Sequence, residues 1–249
     1  MLEVTGIEGF DKILGGGLPR PCAILLVGSM GSGKSTLGKQ LVCNMLRNEF
    51  HVLYYAVEES ADEVKNGLSA FGIDDPQLER YVNDGMFKIA DMFDLGVRRL
   101  EEAPSSEEPM KIIENTFNIS ELLSLGRRFT LGNIGKKQFA VLDSATPLFL
   151  TVEPKKVFQF AQILRFATRL SKGIGVAILH SGILGESVEN ACSNFADLVI
   201  EMQRRKVAEA VTRGGTMRIL KMVGSSPPAR DFYYELTDKG VVVSTVPTL

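Results

Sequence analysis

One short run constrains this chain more than any other: Gly28-Ser-Met-Gly31-Ser-Gly33-Lys34-Ser35 satisfies the full pattern G-x-x-x-x-G-K-[ST]. It follows Ala23–Val27, an apolar run that reads as a buried strand. It precedes Leu37, Leu41 and Met45, which recur every fourth residue on a helix starting near Lys34. A glycine-rich loop in that setting turns successive N–H groups inward, and the helix N-terminus adds partial positive charge at the same place. Gly31, Ser32, Gly33, Lys34, Ser35 and Thr36 are therefore expected to cradle the phosphates of a nucleotide. Lys34 would reach the β- and γ-phosphates, and the Ser35 hydroxyl would enter the shell of a Mg²⁺ ion.

The rest of the chain alternates strands and helices around that loop. Val52–Val57, Met86–Ala90, Phe139–Asp143 and Gly175–His180 are strand-length apolar runs. Ser60-Ala-Asp-Glu63 is a capping box opening a helix to about Phe71, stopped by Gly72, and Asn118-x-x-Glu121 caps another that ends near Gly132. Pro154 suits the first turn of a helix carrying Phe158, Ala161, Leu164 and Leu170 on one side. From Leu198 onward the pattern is β-rich (Leu198–Gln203, Thr216–Val223, Phe232–Leu236, Val241–Val243) with turn residues between, which predicts antiparallel extension of the sheet. Leu95–Asn118, with its acidic, proline-broken part Glu101–Pro109, reads as a mobile surface excursion. No repeat and no linker divides the chain. The expected fold is α/β, with a mostly parallel central sheet, flanking helices and a C-terminal antiparallel β extension, in one domain over residues 1–249.

Composition excludes several function classes. Lys and Arg number 28 against 30 Asp and Glu, a formal net charge of -2, which rules out a strongly basic nucleic-acid coat or a polybasic membrane anchor. No apolar run approaches the roughly 18 residues that a membrane span requires. The cysteines Cys22, Cys43 and Cys192 share no C-x-x-C spacing and read as reduced, partly buried thiols. The expectation is a soluble cytoplasmic protein.

Three carboxylates are placed where a phosphate loop would use them. Phe139-Ala-Val-Leu-Asp143 is an apolar strand ending in an Asp, which suits the water shell of the metal. Glu58 and Glu59 end the Val52–Val57 strand, and parallel strands deliver functional groups at their carboxyl ends. One of them could orient or deprotonate a water aimed at the γ-phosphate.

With these elements in order, the chain resembles the single-domain KaiC-like ATPases of the RecA superfamily over nearly its whole length. The likeness runs from Thr5-Gly-Ile-Glu-Gly-Phe-Asp-Lys-Ile-Leu-Gly-Gly-Gly-Leu-Pro19 through the loop, Glu58-Glu59-Ser60, the Asp143 strand and Val176–His180. It ends in Leu220-Lys-Met-Val-Gly-Ser225 and Thr237-Asp-Lys-Gly240, similar to the family's KxRG(T/S) and TDxG segments. The resemblance implies a RecA-like core, ATP and Mg²⁺, and a homo-oligomeric ring, a hexamer among the candidate sizes, with nucleotide between subunits. It implies hydrolytic roles for Glu58 and Glu59, and contact between Lys221 and a neighbour's γ-phosphate. Ser225 follows Lys221 in the same segment. Thr237 and Asp238 are implied to lie beside the nucleotide, and His180 to lie where relatives sense the γ-phosphate.

The departures set the expected rate. Val223 stands where the family pattern has Arg, and Pro227 replaces a His that is common after that segment. An arginine supplied in trans is worth about 10³–10⁵ in rate, roughly 4–7 kcal/mol of barrier, so hydrolysis should be slow. Ser193 lies near a loop that is autophosphorylated in a relative, but Asn194 follows it, and self-phosphorylation is not expected. The loop Ala145–Lys156 offers only Lys155 and Lys156, and Ser181–Asp197 carries Glu186, Glu189 and Asp197 with no Lys or Arg, which disfavours nucleic acid. The strongest basic cluster is Arg204-Arg205-Lys206 with Arg213, read as a hairpin tip or a subunit contact. Three functions remain: a regulatory or assembly ATPase with a protein partner, a recombinase-like accessory ATPase, and an ATP sensor that does not hydrolyse.

Overall fold

Alternate residues of the apolar runs go to opposite faces of one sheet, as the two-residue period of a strand demands. In the computed structural model, which describes residues 1–104, 119–150, 153–207, 210–225, 228 and 230–247, Ile24, Leu26, Val52, Tyr54, Phe139, Val141, Val176 and Ile178 enter one buried cluster. Leu25, Val27, Leu53, Tyr55, Leu142 and Leu179 enter a second cluster on the other side.

The strands are β1 (Leu2–Glu3), β2 (Leu18–Pro19), β3 (Cys22–Gly28), β4 (His51–Ala56), β5 (Phe87–Asp91), β6 (Gln138–Asp143) and β7 (Ile174–His180), followed by β8 (Leu198–Val207), β9 (Ala210–Met222), β10 (Phe232–Thr237) and β11 (Gly240–Pro247). β1 and β2 form a small pair, and the other strands form a sheet of nine in the order β11-β10-β9-β8-β3-β7-β6-β4-β5. The block from β8 to β5 is parallel, and β9, β10 and β11 extend it antiparallel. Helix Lys34–Arg47 buries Leu37, Leu41, Met45 and Leu46 in the first cluster. Helices Ile119–Gly132, Thr146–Leu150, Pro154–Ser171 and Glu186–Phe195 cover the second.

Several local readings need correction. Residues 95–102 of the expected excursion belong to a helix, Met92–Glu102, capped by Asp91, whose Met92 and Leu95 pack on the second cluster; residues 105–118 of it, Asn118 among them, lie outside the described residues, as does Pro227. Helix Asp75–Asn83 has an Asp74 cap and a proline in its first turn but buries only Leu78, too faint an apolar period to read. Helix Glu186–Phe195 lies inside the Ser181–Asp197 loop, and Thr146–Leu150 inside Ala145–Lys156. In Pro154–Ser171, Leu170 is 62% exposed, and Phe160, outside the expected apolar set, is buried in its stead. All three cysteines are free and buried; burial pushes the Cys22 and Cys43 thiols up to about 12 and Cys192 to about 11, far from reactive thiolates. Among the described residues no helix is long and apolar enough to cross a membrane.

One buried carboxylate joins the layers at the sheet end away from the loop. Asp197, 5% exposed, accepts from the Ala23 N–H and from Arg165 and Arg169 of helix Pro154–Ser171, each at 3.0 Å. Its own backbone bonds Ala23 O and Val223 N–H, binding β3, β8 and the end of β9 together. Asp197→Ala leaves these donors unmatched. Because the arginines are half exposed, the expected loss is about 3 kcal/mol, the low end for a broken buried pair. Urea denaturation checks this, and a loss under about 1 kcal/mol would contradict it.

Candidate nucleotide site

The phosphate loop leaves the carboxyl end of β3, where the helix that follows starts at Lys34. Gly28 can only be glycine, because a Cβ there would stand 1.9 Å from the Met202 carbonyl oxygen on β8. Gly33 takes φ +86°, and a Cβ on it would strike the Leu236 side chain on β10 at 2.5 Å. The Tyr234 hydroxyl donates to Ser32 O at 2.6 Å. β8 and the antiparallel extension therefore form the back wall of the loop.

Lys34 is buried, with its ammonium 3.0 Å from Gly28 O and 2.8 Å from Ser29 O. Burial lowers its pKa to about 8, against the smaller upward pull of Asp143 and Glu58. Ser35 Oγ donates to Asp143 Oδ1 at 3.0 Å, and the Tyr54 hydroxyl donates to Asp143 Oδ2 at 2.7 Å. Desolvation nevertheless raises the Asp143 pKa above its ordinary value, outweighing those two bonds. Thr36 follows in the first helical turn.

The two glutamates after β4 part company. The Ser144 hydroxyl donates to Glu58 Oε1, which lies 3.5 Å from His180 Nε2. His180 closes β7 beside Gly28, with its N–H donating to Thr146 Oγ1 at 2.9 Å. Its Nδ1 is buried and finds no hydrogen-bond partner among the described residues. Glu59 instead pairs with Lys39, on the helix that leaves the loop. Glu58, Asp143, Ser144 and His180 thus gather with Lys34 at the carboxyl edge of the parallel strands.

The C-terminal candidates divide. Thr237 follows Leu236, which abuts Gly33, and its hydroxyl donates to Gly240 O at 2.9 Å in the turn that also holds Asp238. Lys221 lies further back along the sheet, away from the loop. It pairs with Val199, which pairs with Leu25, three residues before Gly28, so it lies about 10 Å back along the strands and two strands across. Its ammonium donates to Ser193 O and Asn194 O at 3.2 and 2.8 Å. Ser225 lies beyond it in the turn after β9, next to Val223, which is 53% exposed. Arg204 is a residue that the sequence pointed elsewhere: it belongs to β8 and lies against the loop at Gly31. Only tertiary placement could reveal that, since nothing marks it in the local pattern.

A strand–loop–helix of this shape at the carboxyl end of a central parallel strand, with Asp143 ending β6 and the paired glutamates just after the adjacent β4, agrees with the comparisons to known proteins. The family described as "ATPase: KaiC" matches residues 4–247. The chain belongs to the KaiC ATPase family. Relatives include UPF0273 proteins of Thermotoga maritima, 29% identical over 243 residues with 96% of this chain and 94% of that one covered, and of Aeropyrum pernix, 29% identical over 247 residues with 96% and 92% covered. A KaiC-like protein, PH0186 of Pyrococcus horikoshii, superposes with a TM-score of 0.75 at 21% identity, over 98% of this chain and 99% of its own. That likeness confirms the RecA-type α/β fold. Membership makes this a nucleotide-binding ATPase chain, as the KaiC-like motifs implied.

The depressed lysine carries a pH signature. In the unfolded chain Lys34 titrates near 10.5 and in the folded one near 8, so between those values the unfolded state holds more protons and stability rises with pH. Measured against Lys34→Met, the wild type should gain stability from about pH 8 to about pH 10.5 and run parallel to it below that window. Urea titrations at pH 7, 9 and 10 check this; parallel curves throughout would contradict it.

Proposed function

We propose that this chain binds ATP with Mg²⁺, hydrolyses it slowly and serves as a nucleotide-driven regulatory or assembly ATPase in a homo-oligomeric ring. The observation that carries the reading is the convergence of Lys34, Ser35, Asp143 and Glu58 at one strand edge. Lys34 and the loop amides would hold the phosphates. The donor set suits magnesium, which keeps several waters and takes one or two carboxylates together with substrate phosphates. Ser35 and Asp143, 3.0 Å apart, would hold it directly or through water. When bound, the ion neutralises charge on the β- and γ-oxygens.

Glu58 is the better base of the two glutamates. Its oxygen is oriented by Ser144 and faces His180, whereas the Glu59 carboxylate is engaged by Lys39. Glu58 would take the proton of a water attacking the γ-phosphate, with His180 holding the water's other side. Glu59 would chiefly fix the helix carrying Lys34. Lys221 and Ser225, remote from their own loop, fit contact with a neighbour's phosphates, and Thr237 and Asp238 fit the near side of the nucleotide. Val223 in place of arginine supports low turnover. Nucleic acid is the less favoured partner, since helix Glu186–Phe195 presents Glu186 and Glu189.

Single-turnover hydrolysis separates the alternatives. Glu58→Gln should retain ATP binding and lose about 10²–10⁴ in rate, a general base's usual contribution. Glu59→Gln should lose much less. A wild type that binds ATP yet forms no product would establish the sensor instead, and equal losses in both variants would refute the division of roles.

A further inference from the structure

We propose that Arg204 binds the nucleotide's phosphates within its own chain, supplying from the sheet a guanidinium that the Lys221–Ser225 segment lacks; this rests on the ATP-binding reading above. Sheet register places it. Gly28, the last residue of β3, pairs with Met202 on β8. Arg204 lies two residues further on and on the same face as Met202, which belongs to the cluster under the loop's helix. The strand thus carries the arginine past the end of β3 and alongside the phosphate loop.

The contact has two points. The Arg204 N–H donates to Ser29 Oγ at 3.3 Å. Its guanidinium Nη1 stands 2.9 Å from where a Cβ on Gly31 would be, so the head group lies on the loop itself. Two strands along in the same row of the sheet, Tyr234, with Leu236 two residues further on, already braces Ser32 and Gly33 with neutral groups. Mechanical support of the loop therefore does not call for a charge.

Electrostatics gives the charge a purpose. The loop turns its N–H groups and a helix N-terminus toward the same space, and Lys34 adds an ammonium. A further cation beside that cradle is repelled until an anion enters. Among the described residues no carboxylate forms an ion pair with Arg204 that would offset the cost. A polyphosphate reverses the sign, and a guanidinium, planar and always charged, suits two phosphate oxygens at once. With Val223 where relatives' pattern has arginine, Arg204 becomes a cis cation for the same tail.

Calorimetric titration of Mg-ATP and Mg-ADP into wild type, Arg204→Gln and Arg204→Lys at two salt concentrations tests this. Arg204→Gln should weaken both nucleotides by about 10- to 100-fold, as expected for loss of a charge-assisted bond. It should flatten the salt dependence without lowering the nucleotide-free melting temperature, and Arg204→Lys should restore part of the affinity. If wild type binds and Arg204→Gln binds within twofold of it, the proposal is wrong. If Arg204→Gln melts lower without nucleotide, Arg204→Lys decides: weaker binding at an unchanged melting temperature upholds the role, and wild-type affinity overturns it. No binding by wild type itself would sink the ATP reading and this inference with it.

Discussion

The close fit of the phosphate loop against β8 and the antiparallel extension is the contact on which the rest of the site depends. A loop that points its amides inward has its outer side open, and here β8 and β10 close it. The Met202 carbonyl takes the place of a Gly28 side chain, Tyr234 ties the Ser32 carbonyl, and Leu236 fills the space outside Gly33. Strands more than 170 residues away in sequence thereby hold the loop's curvature. Their long hydrogen-bonded ladder, continuous from β3 to β11, makes that wall stiff.

Behind the loop, burial works against charge. Desolvation lowers Lys34 and raises Asp143, each despite favourable neighbours. Both shifts move their groups toward neutrality, and a phosphate beside Lys34 or a cation beside Asp143 would each oppose them. Asp197 shows the opposite solution at the far end of the sheet: its charge is matched by two arginines and a backbone donor, a purely structural arrangement. The same residue type is proposed for binding chemistry at one edge and serves as scaffolding at the other, according to how completely it is paired.

Legibility in the sequence follows the strength of local signals. The β3 run, the capping box at Ser60 and the loop pattern each depend on residues close together in the chain, and each element lies where its pattern predicts. Helix Asp75–Asn83 was hidden because a single leucine carries its buried side. Helix Glu186–Phe195 was hidden by the glycines and serines around it, and it buries only Cys192. Leu170 misled because the helix turns Phe160 and Thr168 to the sheet instead.

What the sequence by itself determined was the phosphate loop, the alternation of strand and helix, and a set of candidate carboxylates and hydroxyls at strand ends, because each is written in spacings of a few residues. Tertiary structure alone decided which of them meet. It set Glu58 on Ser144 and Glu59 on Lys39, held Lys221 back from the loop, and brought Arg204 to it. The physical reason is that sheet order and register, fixed by long-range pairing and packing, convert neighbours in sequence into strangers in space and the reverse.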